Sequence, residues 1–390
     1  MLKKIKLSPI LKRAWGKEQE LKHIIPALPD KFNNFYEPFV WGWAVYFTLE
    51  ANKYFINDKS EELVWLYKII ISKERKVFFT FLDNLIHNWE LLWKILNKNS
   101  SFFLELYKSF SNSEISELEL KNKIIEFILS HTDEFNWMFE KNFNQSIKNF
   151  IDEIEKNLVR KTKRMKVLEW QKWKLDDKDI LDNIETALKS AFYMNFRYLY
   201  NNKEKYKLKH SFIIAIFLFI RNYAYSWMFR YNKDWGFNVP YGWIWYNNKN
   251  FTKKIDYLKS KELKEHLEKT KIENLDFEDF FKQNEPKKDD FIFLDPPYDS
   301  EFSTYDQNIF DRWDQERLAN YLIQNCKAKW MIIIKNTDFI FNLYNDKGLN
   351  IQTFDKKYLV SFMNRNDKDV MHYFSLILNI IQNYFYKFTF

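Results

Sequence analysis

An aspartate, two prolines and a tyrosine occupy positions 295–298. An ionised aspartate only accepts hydrogen bonds, and the backbone carbonyl of Pro296 adds a second acceptor beside it. Together, Asp295 and this carbonyl can accept hydrogen bonds from both hydrogens of an exocyclic amine on a flat heterocycle. These bonds bend the amine nitrogen toward a nucleophilic geometry. Tyr298 offers a stacking face for a base extruded from a duplex. The group therefore predicts chemistry on a base amine; the alternative is a turn that only ends a strand.

The residues before this turn indicate how it is positioned. Residues 291–294 are all apolar and predict a short strand buried on both faces, as in a parallel sheet covered by helices. The prolines end the strand because neither can donate a ladder hydrogen bond. Asp295 thus follows the carboxyl end of a strand, where open α/β sheets bind ligands. A polar loop over 299–313, a helix and further strands at 329–334 and 376–378 are expected after it.

Residues 35–58 have the layout of a nucleotide-binding βαβ unit: a strand, a turn around Gly42, a helix and a second strand that ends in an acid. Such a turn lets the backbone approach a ligand, and an acid about 20 residues later binds ribose hydroxyls. Here Asp58 follows Gly42 by 16 residues. The alternative is that Asp58 caps the helix that starts near Glu61, and one residue can serve both roles.

Charge favours a polyanionic partner. The chain has 61 basic and 53 acidic residues, a net charge of +8 and a pI near 9.0. Arg13 and Lys17 lie in a basic loop that enters a predicted helix, which suits an anionic ligand such as a carboxylate, although a solvated loop is the alternative. Residues 160–166 form a basic run that is either a solvated surface or a phosphate-contacting edge.

The middle of the chain differs from its two ends. Apolar residues recur at helical spacing and proline is absent, so most of 71–210 is predicted to be helical, as is 258–283. Residues 221–251 place aromatic residues around turn formers, which favours a hairpin or an ordered loop. Arg230, Asn232 and Asn238 in this segment have side chains of the kind that read base edges, with an aromatic-packed loop as the alternative.

Cysteine and hydropathy limit the compartment. The single cysteine, Cys326, excludes an internal disulfide and is typical of a reducing cytosol, so we expect a cytoplasmic protein. No apolar signal-peptide core follows the basic amino terminus. The longest apolar run, residues 212–220, is too short to span a membrane. Six scattered histidines and one cysteine give no metal-ligand cluster.

Taken in order, these motifs resemble the DNA adenine methyltransferases of the Dam type, which use S-adenosyl-L-methionine. The matching segments are residues 13–17, 37–44, 56–58, 229–232, 237–242 and 294–298. The resemblance implies that Asp58 holds the cofactor ribose, that Asp295 lies between cofactor and target amine, and that Tyr298 stacks on the flipped adenine. It further implies cofactor contacts for Arg13, Lys17, Phe39 and Gly42, and DNA contacts for Arg230, Asn232 and Asn238.

The implied fold is α/β, with a Rossmann-like methyltransferase sheet from residues 1–70 and 286–390 and a helical target-recognition insert over 71–285. The implied reaction is in-line methyl transfer to the N6 amine of adenine in double-stranded DNA, by a monomer that acts alone or beside a companion restriction endonuclease. The same acceptors could serve the cytosine amine, but aspartate before the prolines argues for adenine. After His372 the resemblance fades.

The chain departs from the family at its glycines. Trp41 and Trp43 flank Gly42, and other tryptophans stand where the family usually shows glycine, at Trp15, Trp227, Trp235 and Trp243. The chain has 15 tryptophans and 5 glycines, whereas average usage predicts about 27 glycines. An indole at a close-approach turn costs ~1–3 kcal/mol through overpacking. We hypothesise that several of these tryptophans are encoded by UGA, which some bacterial lineages read as glycine. The rival reading is a DNA-binding module without catalysis.

Overall fold

The computed structural model describes residues 7–11, 24–40, 45–131, 146–172, 174–228, 230–297, 310–356 and 372–379. The chain divides into two compact units, one formed by Met1–Ile71 with Leu258–Phe390 and the other by Ser72–Tyr257. The insert expected from the sequence instead ends at residue 285. The second boundary differs because residues 258–285 contain a strand of the first unit's sheet.

A seven-stranded sheet organises the first unit. Its strands are β1 (Phe35–Glu37), β2 (Tyr54–Asn57), β3 (Thr270–Glu273), β4 (Phe291–Leu294), β5 (Lys329–Lys335), β6 (Asn350–Lys356) and β7 (His372–Leu378). They lie in the order β3-β2-β1-β4-β5-β7-β6, and β7 alone among them runs in the opposite direction to the other six. The strands predicted within 35–58, 291–294, 329–334 and 376–378 are confirmed. β3 lies where a helix was predicted, and β6 was not predicted.

The helices described are α1 (Glu61–Ile71), α2 (Arg75–Lys98), α3 (Ser100–Ser111), α4 (Glu117–Ser130), α5 (Ile147–Gln171), α6 (Asp177–Asn201), α7 (His210–Tyr223), α8 (Thr252–Lys259), α9 (Lys261–Glu268), α10 (Phe277–Gln283), α11 (Arg312–Asn320) and α12 (Asp338–Tyr344). The helical character predicted for most of 71–210 is therefore confirmed. Between β1 and β2, the described residues 45–48 form turns rather than the predicted helix.

Burial explains the central strands. All four residues of β4 are at most 1% exposed, as expected of a strand covered by helices on both faces. Ile292 and Leu294 of β4 pack with Trp330 and Ile332 of β5 against aromatic residues of α10. Registers pair Phe35 with Phe291 and Leu294 with Ile332. The carboxyl ends of β1, β2, β4 and β5 consequently meet at one edge of the sheet.

His266 on α9 lies among aromatic rings of the first unit, with its ring centroid 4.3 Å from that of Tyr54 and 4.5 Å from that of Tyr46. Burial lowers the pKa of His266 from 6.5 to about 4. The unfolded chain therefore binds this proton at a higher pH than the folded chain does. The contribution of neutral His266 to stability is complete above pH 6.5 and is lost as the pH falls toward 4.

We expect this histidine to remove up to roughly 3 kcal/mol of stability between pH 7 and pH 4. Urea unfolding at several pH values, followed by tryptophan fluorescence, measures the loss. His266→Phe should flatten that part of the pH dependence, whereas His87→Phe, at an exposed histidine, should keep it. An identical pH slope in wild type and His266→Phe would contradict the assignment.

The second unit is built from helices. Trp89 of α2 contacts Phe192 of α6 and both Phe219 and Tyr223 of α7, with ring centroids 4.4–5.9 Å apart. The apolar run 212–220 lies in α7 and is mostly buried. In the part of the chain that the structure describes, no helix is both long and apolar enough to cross a membrane.

Candidate functional site

Two carboxylates lie on either side of β1 at the carboxyl edge of the sheet. The chain leaves β1 toward β2 and β3 on one side, while β4 and β5 lie on the other, so β1 and β4 form a topological switch point where α/β sheets bind ligands. Asp58 follows β2 and Asp295 follows β4, each one strand from β1. At ~4.8 Å per strand, the two positions are roughly 10 Å apart. Both residues are buried.

The side chain of Asp58 supports the start of α1. Its Oδ1 accepts a hydrogen bond from the Ser60 backbone N–H at 2.7 Å. Ser60 itself caps the helix, since its Oγ accepts from the Leu63 N–H at 3.4 Å. Asp58 lies two residues before this cap, so the alternative in which Asp58 is itself the N-cap is wrong. A carboxylate only accepts hydrogen bonds, through about four lone-pair sites, and this chemistry suits ribose hydroxyls.

An asparagine braces the edge that carries Asp58. Asn57 donates from Nδ2 to the carbonyls of Pro38 at 3.1 Å and Leu275 at 3.0 Å, and its Oδ1 accepts from the Leu275 N–H at 2.8 Å. Asn274 donates to the Asp58 carbonyl at 2.7 Å. These bonds join the ends of β1, β2 and β3. The sequence showed Asn57 only as part of a motif, and its partners are 19 and 218 positions away.

Phe39 belongs to an aromatic cluster just beyond β1. Its ring centroid lies 5.8 Å from that of Phe277, at the start of α10, and 5.4 Å from that of Phe310, ahead of α11. The ring is 8% exposed. Packing against these rings therefore explains the burial of Phe39, and its contact with a cofactor stays a prediction.

The turn after β4 is supported from α11. Gln315 donates from Nε2 to the Pro297 carbonyl at 2.8 Å. Two residues further along the helix, Arg317 binds Asp276 at 2.7 Å, Glu278 at 3.0 Å and Asp314 at 2.6 Å. The hydrogen bond to Glu278, with those to Asp276 and Asp314, raises the pKa of Arg317 above its usual value. Neither Gln315 nor Arg317 carried a motif signal.

Several predicted site residues lie outside the described part of the chain: Arg13, Lys17, Gly42 and Tyr298. The same holds for Trp15, Trp41 and Trp43, for the side chain of Trp227 and for most of the predicted loop 299–313. Their roles stay predictions. Of the residues proposed to act at the sheet, the structure brings Phe39, Asp58, Asp295 and Pro296 to one edge.

The residues predicted to contact DNA lie together on a hairpin of the second unit. Antiparallel bridges join Tyr231 to Phe237 and Ala224 to Tyr241, so the hairpin prediction is confirmed. Arg230 donates from Nε to Asn238 Oδ1 at 3.0 Å.

Asn232 is exposed, and its Oδ1 accepts from the N–H groups of Asp234 and Gly236 at 3.1 and 2.7 Å. Asn232 therefore shapes the hairpin tip, while the exposed guanidinium of Arg230 is held in place by Asn238.

One face of α6 holds the backbone of this hairpin. Tyr193 and Arg197 both donate to the Val239 carbonyl, at 3.0 and 3.1 Å. Asn201 donates to the Phe237 carbonyl at 3.0 Å and accepts from the Phe237 N–H at 2.9 Å. Their four-residue spacing puts these side chains in one row along the helix. Lys189, four residues before Tyr193, extends the row by donating to the Asn247 carbonyl at 2.8 Å.

The basic run 160–166 lies on α5 and makes contacts inside the second unit. Lys163 pairs with Glu117 at 2.7 Å, and Lys166 donates to the Phe110 carbonyl at 2.7 Å. Burial lowers the pKa of Lys161. Packing and ion pairing account for much of this run, and phosphate contact by the remaining cations stays a prediction.

One tryptophan has a backbone conformation that favours glycine. Trp235 closes the hairpin tip with φ = +59° and is among five described non-glycine residues with positive φ; this conformation costs ~1–2 kcal/mol for a residue with a Cβ. Among the described tryptophans, seven are exposed, although this residue type is usually well buried: Trp65, Trp93, Trp170, Trp235, Trp243, Trp245 and Trp313. These observations favour the recoding hypothesis, which stays a prediction.

Known proteins resemble this chain in sequence. The sequence matches the family described as D12 class N6 adenine-specific DNA methyltransferase over residues 15–188 and 166–360. It is 35% identical over 146 residues to the Type II methyltransferase M.CviBI of Paramecium bursaria Chlorella virus NC1A, covering 37% of this chain and 52% of that protein. It is 31% identical over 140 residues to M1.LlaDCHI of Lactococcus lactis subsp. cremoris, covering 36% and 45%.

A full-length relative is also found. M.MjaIII of Methanocaldococcus jannaschii, another Type II methyltransferase, is 26% identical over 392 residues, covering 96% of this chain and 100% of that protein. The first two matches span about half the length of those relatives. With its Rossmann-like sheet and the family match over most of its length, the chain belongs to the D12 class N6 adenine-specific DNA methyltransferase family.

Proposed function

We propose that the protein transfers a methyl group from S-adenosyl-L-methionine to the N6 amine of a flipped adenine in double-stranded DNA. The observation that carries this proposal is the placement of Asp58 and Asp295 at one edge of the sheet, on either side of β1. Asp58 carries a carboxylate, the kind of acceptor that binds ribose hydroxyls, and the turn at Asp295 supplies acceptors for an amine.

The protein's own part in this reaction is to position and polarise the amine. The bound cofactor supplies an already activated methyl group. Asp295 and the Pro296 carbonyl would accept the two N6 hydrogens, which localises the nitrogen lone pair and stabilises charge that develops during transfer. Both acceptors follow a strand that is fixed on both sides by β1 and β5. Tyr298 would stack on the base, and Arg230 with Asn238 would contact the duplex.

The second candidate is a DNA-binding module without catalysis. The observation that favours it is Trp41 and Trp43 beside Gly42, where an indole would obstruct the approach of a cofactor. If both residues are encoded by UGG, this candidate gains support and the recoding hypothesis fails.

Unmethylated DNA incubated with protein and isotopically labelled cofactor separates these candidates. Nuclease digestion and mass spectrometry of the nucleosides should find label in N6-methyladenine. Label in N4-methylcytosine would move the acceptor to cytosine. Retention of DNA without any transfer, in both the encoded chain and a Trp41→Gly, Trp43→Gly variant, would support the binding module and end the enzymatic proposal.

The proposed setting follows from the relatives. Because M.CviBI, M1.LlaDCHI and M.MjaIII are named Type II methyltransferases, we propose a companion restriction endonuclease, whose sites this protein would protect in the cytoplasm. A monomer suffices in this proposal, since one chain carries the sheet edge with both carboxylates. A relative named as a retron DNA adenine methylase supports action without such a nuclease as the alternative.

A further inference from the structure

A buried amide touches the turn that follows β4. Gln315, on α11, is 0% exposed and donates from Nε2 to the Pro297 carbonyl at 2.8 Å. The orientation of the amide is settled by chemistry, because only its NH₂ group can face a carbonyl oxygen. Its Oε1 consequently points away from Pro297.

The oxygen of this amide lowers the stability of the fold. Gln315 Oε1 is buried and has no hydrogen-bond partner among the described residues. An unsatisfied buried acceptor costs about 1–3 kcal/mol, and an apolar side chain of similar size would avoid that cost. The bond to Pro297 contributes about 0.5–1.5 kcal/mol, which does not exceed this cost. Folding stability alone therefore does not explain a glutamine at this position, and such a group calls for another explanation.

The helix that carries Gln315 is itself firmly held. Arg317 binds Asp276 and Glu278 around the start of α10, and its guanidinium lies 4.8 Å from the centre of the Phe277 ring. The N-terminus of α11 is closed by a reciprocal pair of hydrogen bonds between Asp311 and Asp314. Because α11 is held in this way, the hydrogen bond from Gln315 fixes the position of the Pro297 carbonyl.

The turn has one soft backbone angle at the point where Gln315 binds. Proline fixes φ at residues 296 and 297. A following proline also restricts ψ of Asp295 and Pro296 to extended values. Pro297 is followed by Tyr298, so ψ of Pro297 is not restricted in this way. That angle orients the Pro297 carbonyl and the direction in which the chain leaves toward residue 298.

We propose that Gln315 is a positioning residue for methyl transfer, which fixes ψ of Pro297 and thereby holds the turn that carries the acceptors of Asp295 and Pro296. This inference rests on the proposed function. It explains the glutamine by its effect on the geometry of the reaction, rather than by its effect on stability.

Gln315→Leu, Gln315→Glu and the control Gln324→Glu test the inference in the Trp41→Gly, Trp43→Gly protein. Gln324 is exposed and lies just beyond α11. In Gln315→Leu, kcat should fall about 10- to 100-fold, as expected for a small misplacement of reacting groups. The KM for the cofactor should stay within about twofold, and the thermal midpoint should change little, because loss of the bond to Pro297 and removal of the unsatisfied oxygen have opposite effects.

The pH profile of Gln315→Glu supplies a signature that a merely structural role would not give. An ionised glutamate repels the Pro297 carbonyl, whereas a protonated one can donate to it. Relative to Gln315→Leu, kcat of Gln315→Glu should therefore rise as the pH is lowered, while Gln324→Glu follows the parent protein. Parallel profiles for the two Gln315 variants would overturn the inference.

Amide hydrogen exchange gives a readout without catalysis. Peptides that cover 291–300 should exchange faster in Gln315→Leu, while peptides of β5 should be unchanged. If the parent protein transfers no methyl group, the proposed function fails, and exchange alone then decides whether Gln315 fixes the turn. If the parent is active and Gln315→Leu matches it in both kcat and exchange, only the role of Gln315 is refuted.

Discussion

Asp295→Ala should lose methyl transfer by about 10²–10³-fold or more, which is the effect of removing one preorganised hydrogen-bonding group from a transition state. The carboxylate is proposed to act on the amine during transfer, so DNA affinity should change little. Single-turnover transfer of labelled methyl groups measures the first quantity, and fluorescence anisotropy with labelled duplex DNA measures the second.

Asp289→Ala is the matched control for that experiment. Asp289 is exposed and lies ahead of the same strand, so its side chain does not reach the turn at the other end. Transfer by this variant should equal that of wild type. Near-normal turnover in Asp295→Ala would remove Asp295 from the mechanism, and a parallel loss of DNA affinity would indicate a binding role.

The double change Trp41→Gly, Trp43→Gly should strengthen cofactor binding by about 10- to 100-fold, since each obstructing indole costs ~1–3 kcal/mol and the two effects need not add. Isothermal calorimetry of S-adenosyl-L-methionine against both proteins provides the comparison. Trp93→Ala removes an indole that is 50% exposed on α2 and should leave the affinity unchanged. Equal affinities in all three proteins would refute both the obstruction and the reason for invoking recoding.

Trp235→Gly isolates the conformational part of the same hypothesis. The residue has φ = +59°, a region in which glycine has no steric cost. In contrast, Gly242 cannot accept a side chain, because a Cβ there would lie 2.0 Å from the Tyr246 ring. The hairpin thus contains one glycine that its packing requires and one tryptophan in a conformation that suits glycine.

Sequence reasoning succeeded where local chemistry determines structure. Four consecutive apolar residues ended by two prolines can form little besides a buried strand, so β4 and the position of Asp295 were predictable. It failed for β3, because Thr270–Glu273 lies among charged residues at helical spacing and becomes a strand only by pairing with Tyr54–Asn57. Propensity in so short a segment is overridden by tertiary pairing.

The residues that support the site could not be predicted from the sequence, for a similar reason. Asn57 and Gln315 act through hydrogen bonds to backbone carbonyls, which any residue supplies, so their partners leave no mark in the sequence. Predicting the motif residues needed only residue types and spacing. Predicting the residues that support them needed the order of the strands, which places β2 beside β3, and the packing that brings α11 to the turn after β4.

The pairing of β1 with β4 has a consequence during protein synthesis. Asn34 and Asp290, which hydrogen-bond where these strands begin, are 256 residues apart. At ~5–20 residues per second, a ribosome needs about 10–50 s between them. During that interval β1 and β2 lack β4, which pairs with β1 in the finished sheet, while the helical unit at Ser72–Tyr257 can already fold. Co-expression of a chaperone that shields nascent chains should therefore raise the soluble yield.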